Sequence, residues 1–161
     1  MLQKSESIRL DYWIVAVLLM AMALIAFVNV LSRYFVNFSI GATEEITINL
    51  FVWMTVVGTG IAFERGAHLG MVTFFNLFPW KMRRRLVVFS ALLGALLFIL
   101  VCGYMIQAIY DEITFFKATS ASLGIPVWLY YAGVPLFSIF VFRGIYRGAV
   151  NRLAEMDREA P

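Results

Sequence analysis

Four long apolar runs punctuate the chain, and none of them alternates apolar with polar positions. They cover Tyr12–Leu31, Ile46–Phe63, Leu86–Tyr110 and Ile125–Phe142. Each approaches the roughly 20 residues a helix needs to cross the hydrocarbon core of a bilayer. Backbone exposed to lipid must satisfy its own hydrogen bonds, which makes helices the expected state. Outer-membrane barrel strands would alternate apolar and polar positions. The fold class expected is an all-α membrane protein, a single integral membrane domain over residues 1–161. Its four transmembrane helices fall at about 12–33, 45–63, 86–110 and 125–147. A fifth apolar stretch, Leu69–Trp80, is too short to span. It reads as a short helix lying in the interface between helices two and three. Trp80 would sit at headgroup depth, with Lys81, Arg83, Arg84 and Arg85 on anionic lipid.

The first run begins after Lys4 and Arg9 and contains Ala21-Met22-Ala23, which is reminiscent of a signal-peptide cleavage site. The apolar character continues past it to Leu31, so the run is read as a retained helix. Orientation follows from the loops. With both termini in the cytoplasm, the inner side holds Lys4, Arg9, Arg65, Lys81, Arg83, Arg84, Arg85, Arg143, Arg147, Arg152 and Arg158. Only Arg33 and Lys117, of thirteen basic residues, lie outside. Basic residues concentrate on the cytoplasmic side of membrane proteins.

Composition narrows the function. Hydrophobic residues make up 62% and charged residues 14%, against roughly a quarter charged in soluble domains. Mean hydropathy is +0.85. These values exclude a soluble enzyme and a disordered segment. A net charge of +3, with basic residues flanking apolar runs, excludes nucleic acid as a partner. One Cys (Cys102) and one His (His68) allow no intrachain disulfide, and they leave a zinc or haem site short of ligands. No metal, cofactor or catalytic residue is therefore expected, and the chain is not read as an enzyme.

Polar groups within the spans are few: Asn29, Asn49 and Gln107, all neutral. They read as interhelical hydrogen-bond formers, not as an ion relay. Arg33 ends helix one and Glu44 and Glu45 begin helix two, where Thr43 can cap and the acids suit the helix dipole. The three form either an ion pair pinning the hairpin or a docking patch. Glu64 and His68 stand one turn apart. Glu64, Arg65 and His68 are the only enzyme-like group at headgroup depth, and they lack a nucleophile. Gly58 with Ala62, and Ala91 with Ala95, have the spacing of close helix contacts. Trp53, at mid-span, needs an acceptor for its indole N–H within the bundle or on a partner. Cys102, among apolar neighbours, has no evident role.

These residues resemble a known family. Asn29-Val30-Leu31-Ser32-Arg33-Tyr34, Thr43-Glu44-Glu45, Phe51-Val52-Trp53 with Gly58, and Ala62-Phe63-Glu64-Arg65-Gly66-Ala67-His68-Leu69 are similar, in order and spacing, to the small membrane subunit (DctQ-type) of tripartite ATP-independent periplasmic (TRAP) transporters. Ile125-Pro126-Val127-Trp128-Leu129-Tyr130 and Pro135 also look like that family's fourth helix. The resemblance implies a bacterial inner-membrane protein that does no chemistry. It would brace a large elevator-type subunit holding the substrate and sodium sites, fed by a periplasmic substrate-binding protein. The cargo would be an organic anion, such as a C4-dicarboxylate or sialic acid. Partner-facing or hairpin-pinning candidates are then Arg33, Glu44, Glu45, Trp53, Gly58, Arg65 and His68. Trp80, Lys81 and Arg83 to Arg85 would meet lipid. The competing reading is a self-sufficient homo-oligomeric channel or another membrane scaffold.

Overall fold

A computed structural model describes residues 10–35, 41–66 and 79–158. Four helices carry the chain: α1 (Leu10–Phe35), α2 (Gly41–Glu64), α3 (Trp80–Asp111) and α4 (Trp128–Arg158). All four are long and apolar enough to cross a membrane. Even α2, with 24 residues, is about 36 Å long at 1.5 Å per residue, more than the ~30 Å hydrocarbon core. No strand forms among the described residues; Thr119 and Pro126 make one isolated antiparallel bridge.

The helices run alternately up and down. Side-chain contacts join the start of α1, the end of α2, the start of α3 and the end of α4 at one pole. The start of α2 meets the α3–α4 loop at the other. The central helix is α4, which packs against both α2 and α3, while α1 packs on α2.

Small residues set the α2–α4 distance. A Cβ at Gly60 would come within 2.6 Å of the Phe140 carbonyl oxygen, and a Cβ at Gly144 would overlap the backbone of Gly60. Glycine at these positions lets two backbones touch, the usual route to tight packing where lipid removes the hydrophobic drive between helices. Val57, Val141 and Ser138 are fully buried along this seam. The Ser138 hydroxyl donates to Val134 O of its own helix at 2.8 Å, so it enters the seam with its donor satisfied.

Several boundaries differ from the sequence expectation. The third span begins at Trp80, not near 86, so Arg83, Arg84 and Arg85 lie on the first turns of α3 instead of in a loop. Pro79 explains the start. Its φ of −61° and ψ of 149° place it just outside the helix, and its carbonyl accepts from Met82 and Arg83 N–H at 2.8 and 3.2 Å. Lysine and arginine are good helix formers, so nothing in the basic cluster interrupts the run. The expected interfacial segment (69–80) and His68 lie outside the described residues, except for Trp80 at the head of α3.

A π-helical turn, Glu112–Phe116, continues α3 and ends at Lys117 in the left-handed region, with φ 47°. The fourth helix starts at Trp128, not 125, because Ile125 to Val127 are used to close the loop. Ser120 N–H donates to Ile125 O at 2.8 Å, and Val127 N–H donates to Ala118 O at 3.1 Å. The helix then runs to Arg158, well past the expected 147.

Candidate functional site

The Arg-rich pole carries most of the interhelical polar contacts. Arg143 on α4 reaches Asp11 on α1 at 3.8 Å, and Arg147 on α4 reaches Glu64 on α2 at 3.7 Å. Asp11 is buried, 4% exposed. Arg84 on α3 meets Asp157 on α4 at 3.7 Å, with both side chains about half exposed. Arg65 donates from Nε to the Tyr12 hydroxyl at 3.0 Å, and its guanidinium carbon lies 5.3 Å from the centre of that ring. Four helix ends are thus joined by arginines, each answered by an acid or a phenol. An exposed pair such as Arg84–Asp157 is worth about 0–1 kcal/mol. The contacts to Asp11 and Glu64 weigh more, because an acid taken out of water without a cation is strongly disfavoured.

At mid-depth, Trp53 on α2 lies across α4. Its indole Nε1 donates to the Tyr130 carbonyl at 3.1 Å, and its ring sits 5.9 Å from that of Phe137. A Cβ at Gly133 would overlap the indole. Pro135, in the next turn, has no N–H to offer the Tyr131 carbonyl. The indole therefore joins α4 one residue before the carbonyl that Pro135 leaves without a ladder donor.

At the opposite pole the start of α2 is clasped to the α3–α4 loop. Ser120 Oγ donates to Glu45 Oε2 at 2.6 Å, and Ser120 Oγ itself accepts from Ser122 and Leu123 N–H at 3.3 and 3.1 Å. Glu112, also buried, accepts from Ala118 N–H at 2.9 Å. The α3–α4 loop is thereby fixed both to α2 and to the end of α3.

These contacts redistribute the residues singled out from the sequence. Arg33 and Glu44 are exposed, and no ion pair links Arg33 to Glu44 or Glu45 among the described residues. Glu45 turns to Ser120 instead. Nothing lies within 4 Å of a Cβ built on Gly58; the contact glycine is Gly60, half a turn on. Asn49 donates to Glu45 O of its own helix at 2.8 Å, not across to a neighbour. Arg85 is exposed and Arg83 half-buried.

Sequence reasoning did not single out Asp11, Tyr12, Arg143, Arg147, Ser120, Gly133, Gly144 or Gly148. A signal existed for two of them: Gly144 and Gly148 have the four-residue spacing of a close-contact face. The ion pairs carried no local signal, since Asp11 and Arg143 are brought together only by the tertiary fold. Among the described residues no group of three His, Cys, Asp or Glu could hold a metal. Asp11, Glu64, Arg65, Arg84, Arg143, Arg147 and Asp157 are engaged with side chains of other segments, an arrangement that holds the helices to one another.

Comparison with known proteins places this geometry in context. The family model for the DctQ component of tripartite ATP-independent periplasmic transporters matches residues 22–154. The ectoine TRAP transporter small permease protein TeaB of Halomonas elongata is 30% identical over 120 residues, 74% of this chain and 61% of that protein. The C4-dicarboxylate TRAP transporter small permease protein DctQ of Vibrio cholerae is 32% identical over 75 residues, 47% of this chain and 32% of its own length. Its namesake in Rhodobacter capsulatus is 28% identical over 104 residues, 62% of this chain and 44% of that protein. The chain thus matches less than two thirds of the length of these curated relatives.

Proposed function

Because the chain belongs to the DctQ family of TRAP transporter components, we propose that it is the small, non-catalytic membrane subunit that braces a large elevator-type permease subunit. In this reading it lies in the bacterial inner membrane with both termini in the cytoplasm. A periplasmic binding protein delivers the cargo. Sodium binds in the large subunit and drives uptake, and this chain carries no cofactor of its own. The cargo is an organic anion such as a C4-dicarboxylate or sialic acid. Relatives are named for both C4-dicarboxylate and ectoine, which fits a small subunit that leaves substrate choice to other chains.

The observation that carries the reading is the way the four helices are fastened. The α2–α4 seam brings backbones into contact at Gly60 and Gly144, and side chains tie helices together at both poles. A moving transport domain needs a stationary frame, and a bundle fixed at its middle and both ends supplies one. The apolar outer faces of α1 and α3 stay exposed along their length, so the frame still has surface for lipid and for a partner.

The test is gentle extraction from the native membrane with a tag on this chain. Recovery of a stoichiometric, much larger polytopic protein, together with loss of uptake when this chain is deleted, is the expected result. Recovery of this chain alone as a stable homo-oligomer that conducts solute by itself would overturn it in favour of a channel.

A further inference from the structure

The Gln107 amide on α3 is not answered within the bundle. The hydroxyls of Thr47, Thr55, Thr59 and Ser138 and the Asn49 amide all donate to carbonyls one turn back on their own helices. Among the described residues no hydrogen bond reaches the Gln107 side chain, which is exposed. Its depth makes this costly. The uncharged run Leu86–Tyr110 is centred on Phe98. At 1.5 Å per residue Gln107 lies about 13 Å from that centre, inside the ~15 Å half-thickness of the hydrocarbon core. Side chains lean toward the start of their helix, so the amide leans away from the nearer membrane surface. An amide in hydrocarbon needs a partner.

The surroundings of Gln107 form a seam. Phe89, Leu93, Leu96, Leu100, Gly103 and Gln107 follow one another at alternating spacings of four and three, the 3.5-residue repeat of helices paired in a left-handed supercoil. All six are exposed. They lie opposite Val87 and Gly94, which α3 turns toward the bundle. Gly103 is the telling member. A Cβ built there meets nothing within 4 Å, so the bundle itself has no need of glycine at a mid-helix position where glycine is unfavourable. A second helix laid on the seam would need it, because a small residue one turn from a polar one lets two backbones approach and the polar groups meet.

We propose that this face of α3 pairs with α3 of a second copy of the chain, Gln107 against Gln107, about a two-fold axis along the membrane normal. Copies inserted the same way in one membrane present parallel helices, and symmetry brings both amides to one depth. An amide carries donors and an acceptor, so each Gln107 can satisfy the other. A single polar residue in an apolar seam also fixes the register of the pair. An acyl chain offers the amide no partner. The proposal goes beyond the brace reading. A pair that conducts nothing is compatible with a large subunit bound elsewhere, so either inference can fail without the other.

The experiment is disulfide crosslinking of the full chain in its native membrane, in a Cys102→Ser background. Leu100→Cys should crosslink to a species of twice the mass. Leu97→Cys on α3 and Leu24→Cys on α1, exposed but off the seam, should stay monomeric. Energy transfer between labelled copies in bilayers then gives affinities. Gln107→Leu should weaken the pair about five- to thirtyfold, the worth of one interhelical polar contact, and Gln107→Asn should retain most of the affinity. Gly103→Leu should also separate the copies while leaving the melting temperature no lower, which distinguishes lost pairing from misfolding. Absence of the dimer, equal crosslinking at all three positions, or unchanged affinity of Gln107→Leu overturns the proposal. So does a crosslink from Leu100→Cys to a much larger chain in place of the dimer.

Discussion

Trp53 and Tyr130 are joined side chain to main chain across the α2–α4 seam, the indole Nε1 donating to the carbonyl oxygen at 3.1 Å. The bond reaches 77 residues along the sequence and lands one turn before Pro135. Trp53→Phe keeps the ring contact with Phe137 and loses the donor. It should lower thermal stability in detergent by about 1 kcal/mol, the usual net value of a hydrogen bond. Gly133→Ala should cost more, because its methyl group takes the space of the indole. Melting curves of the two variants check the order.

Gly58 and Gly60, two residues apart on α2, should part company. Gly58→Ala meets open space, so it should be neutral or stabilising by up to ~1 kcal/mol from helix propensity. Gly60→Ala drives its methyl group into the Phe140 carbonyl and should destabilise by about 1–3 kcal/mol, as overpacking does. Equal melting temperatures for the two variants would count against the seam as described.

Arg143 and Asp11 should be energetically coupled. A double-mutant cycle with Arg143→Gln and Asp11→Asn should return about 0.5–3 kcal/mol, the range for contacting residues. The same cycle on the exposed pair Arg84 and Asp157 should return about 0–1 kcal/mol and shrink as salt is raised. Urea unfolding in mixed micelles would give both values.

Glu45 and Glu44 are neighbours with different work. Ser120→Ala removes the donor to Glu45 and two acceptor contacts within the loop. It should raise proteolytic cutting in the α3–α4 loop several-fold, since a hydrogen bond to a charged group is worth about 1.5–3 kcal/mol. Glu44→Gln, on an exposed side chain, should leave the cutting rate unchanged.

Orientation is open to direct labelling. In a Cys102→Ser background, cysteines at the exposed Ser122 and Glu155 lie at opposite poles. A membrane-impermeant maleimide should label the Ser122 site in intact spheroplasts and the Glu155 site only after lysis. The reverse pattern would invert the topology.

The transmembrane scheme was legible because each span is written into a continuous apolar run, and the four runs correspond one to one with α1 to α4. The start of α3 was missed for a physical reason. Charge marks the edge of the apolar core but does not end a helix, so the run continued back through Arg85 to Trp80. The polar ties were hidden differently. Glu45 sits beside Glu44 in sequence, and nothing local says that one faces Ser120 and the other water. Gly58 and Gly60 are equally small, and only the crossing of α2 with α4 separates them. The family motifs cluster around Arg33, Glu44, Glu45 and Arg65, whereas the tightest packing falls at Gly60, Gly133 and Gly144.

The tether between Asp11 and Arg143 also fixes an order of events during biogenesis. The chain is made from the N-terminus, so Asp11 is in place before Arg143. The arginine that answers it is made more than a hundred residues later, and synthesis at about 5–20 residues per second puts roughly ten seconds between them. The last helix then adds its arginine to an α1 that α2 already packs against.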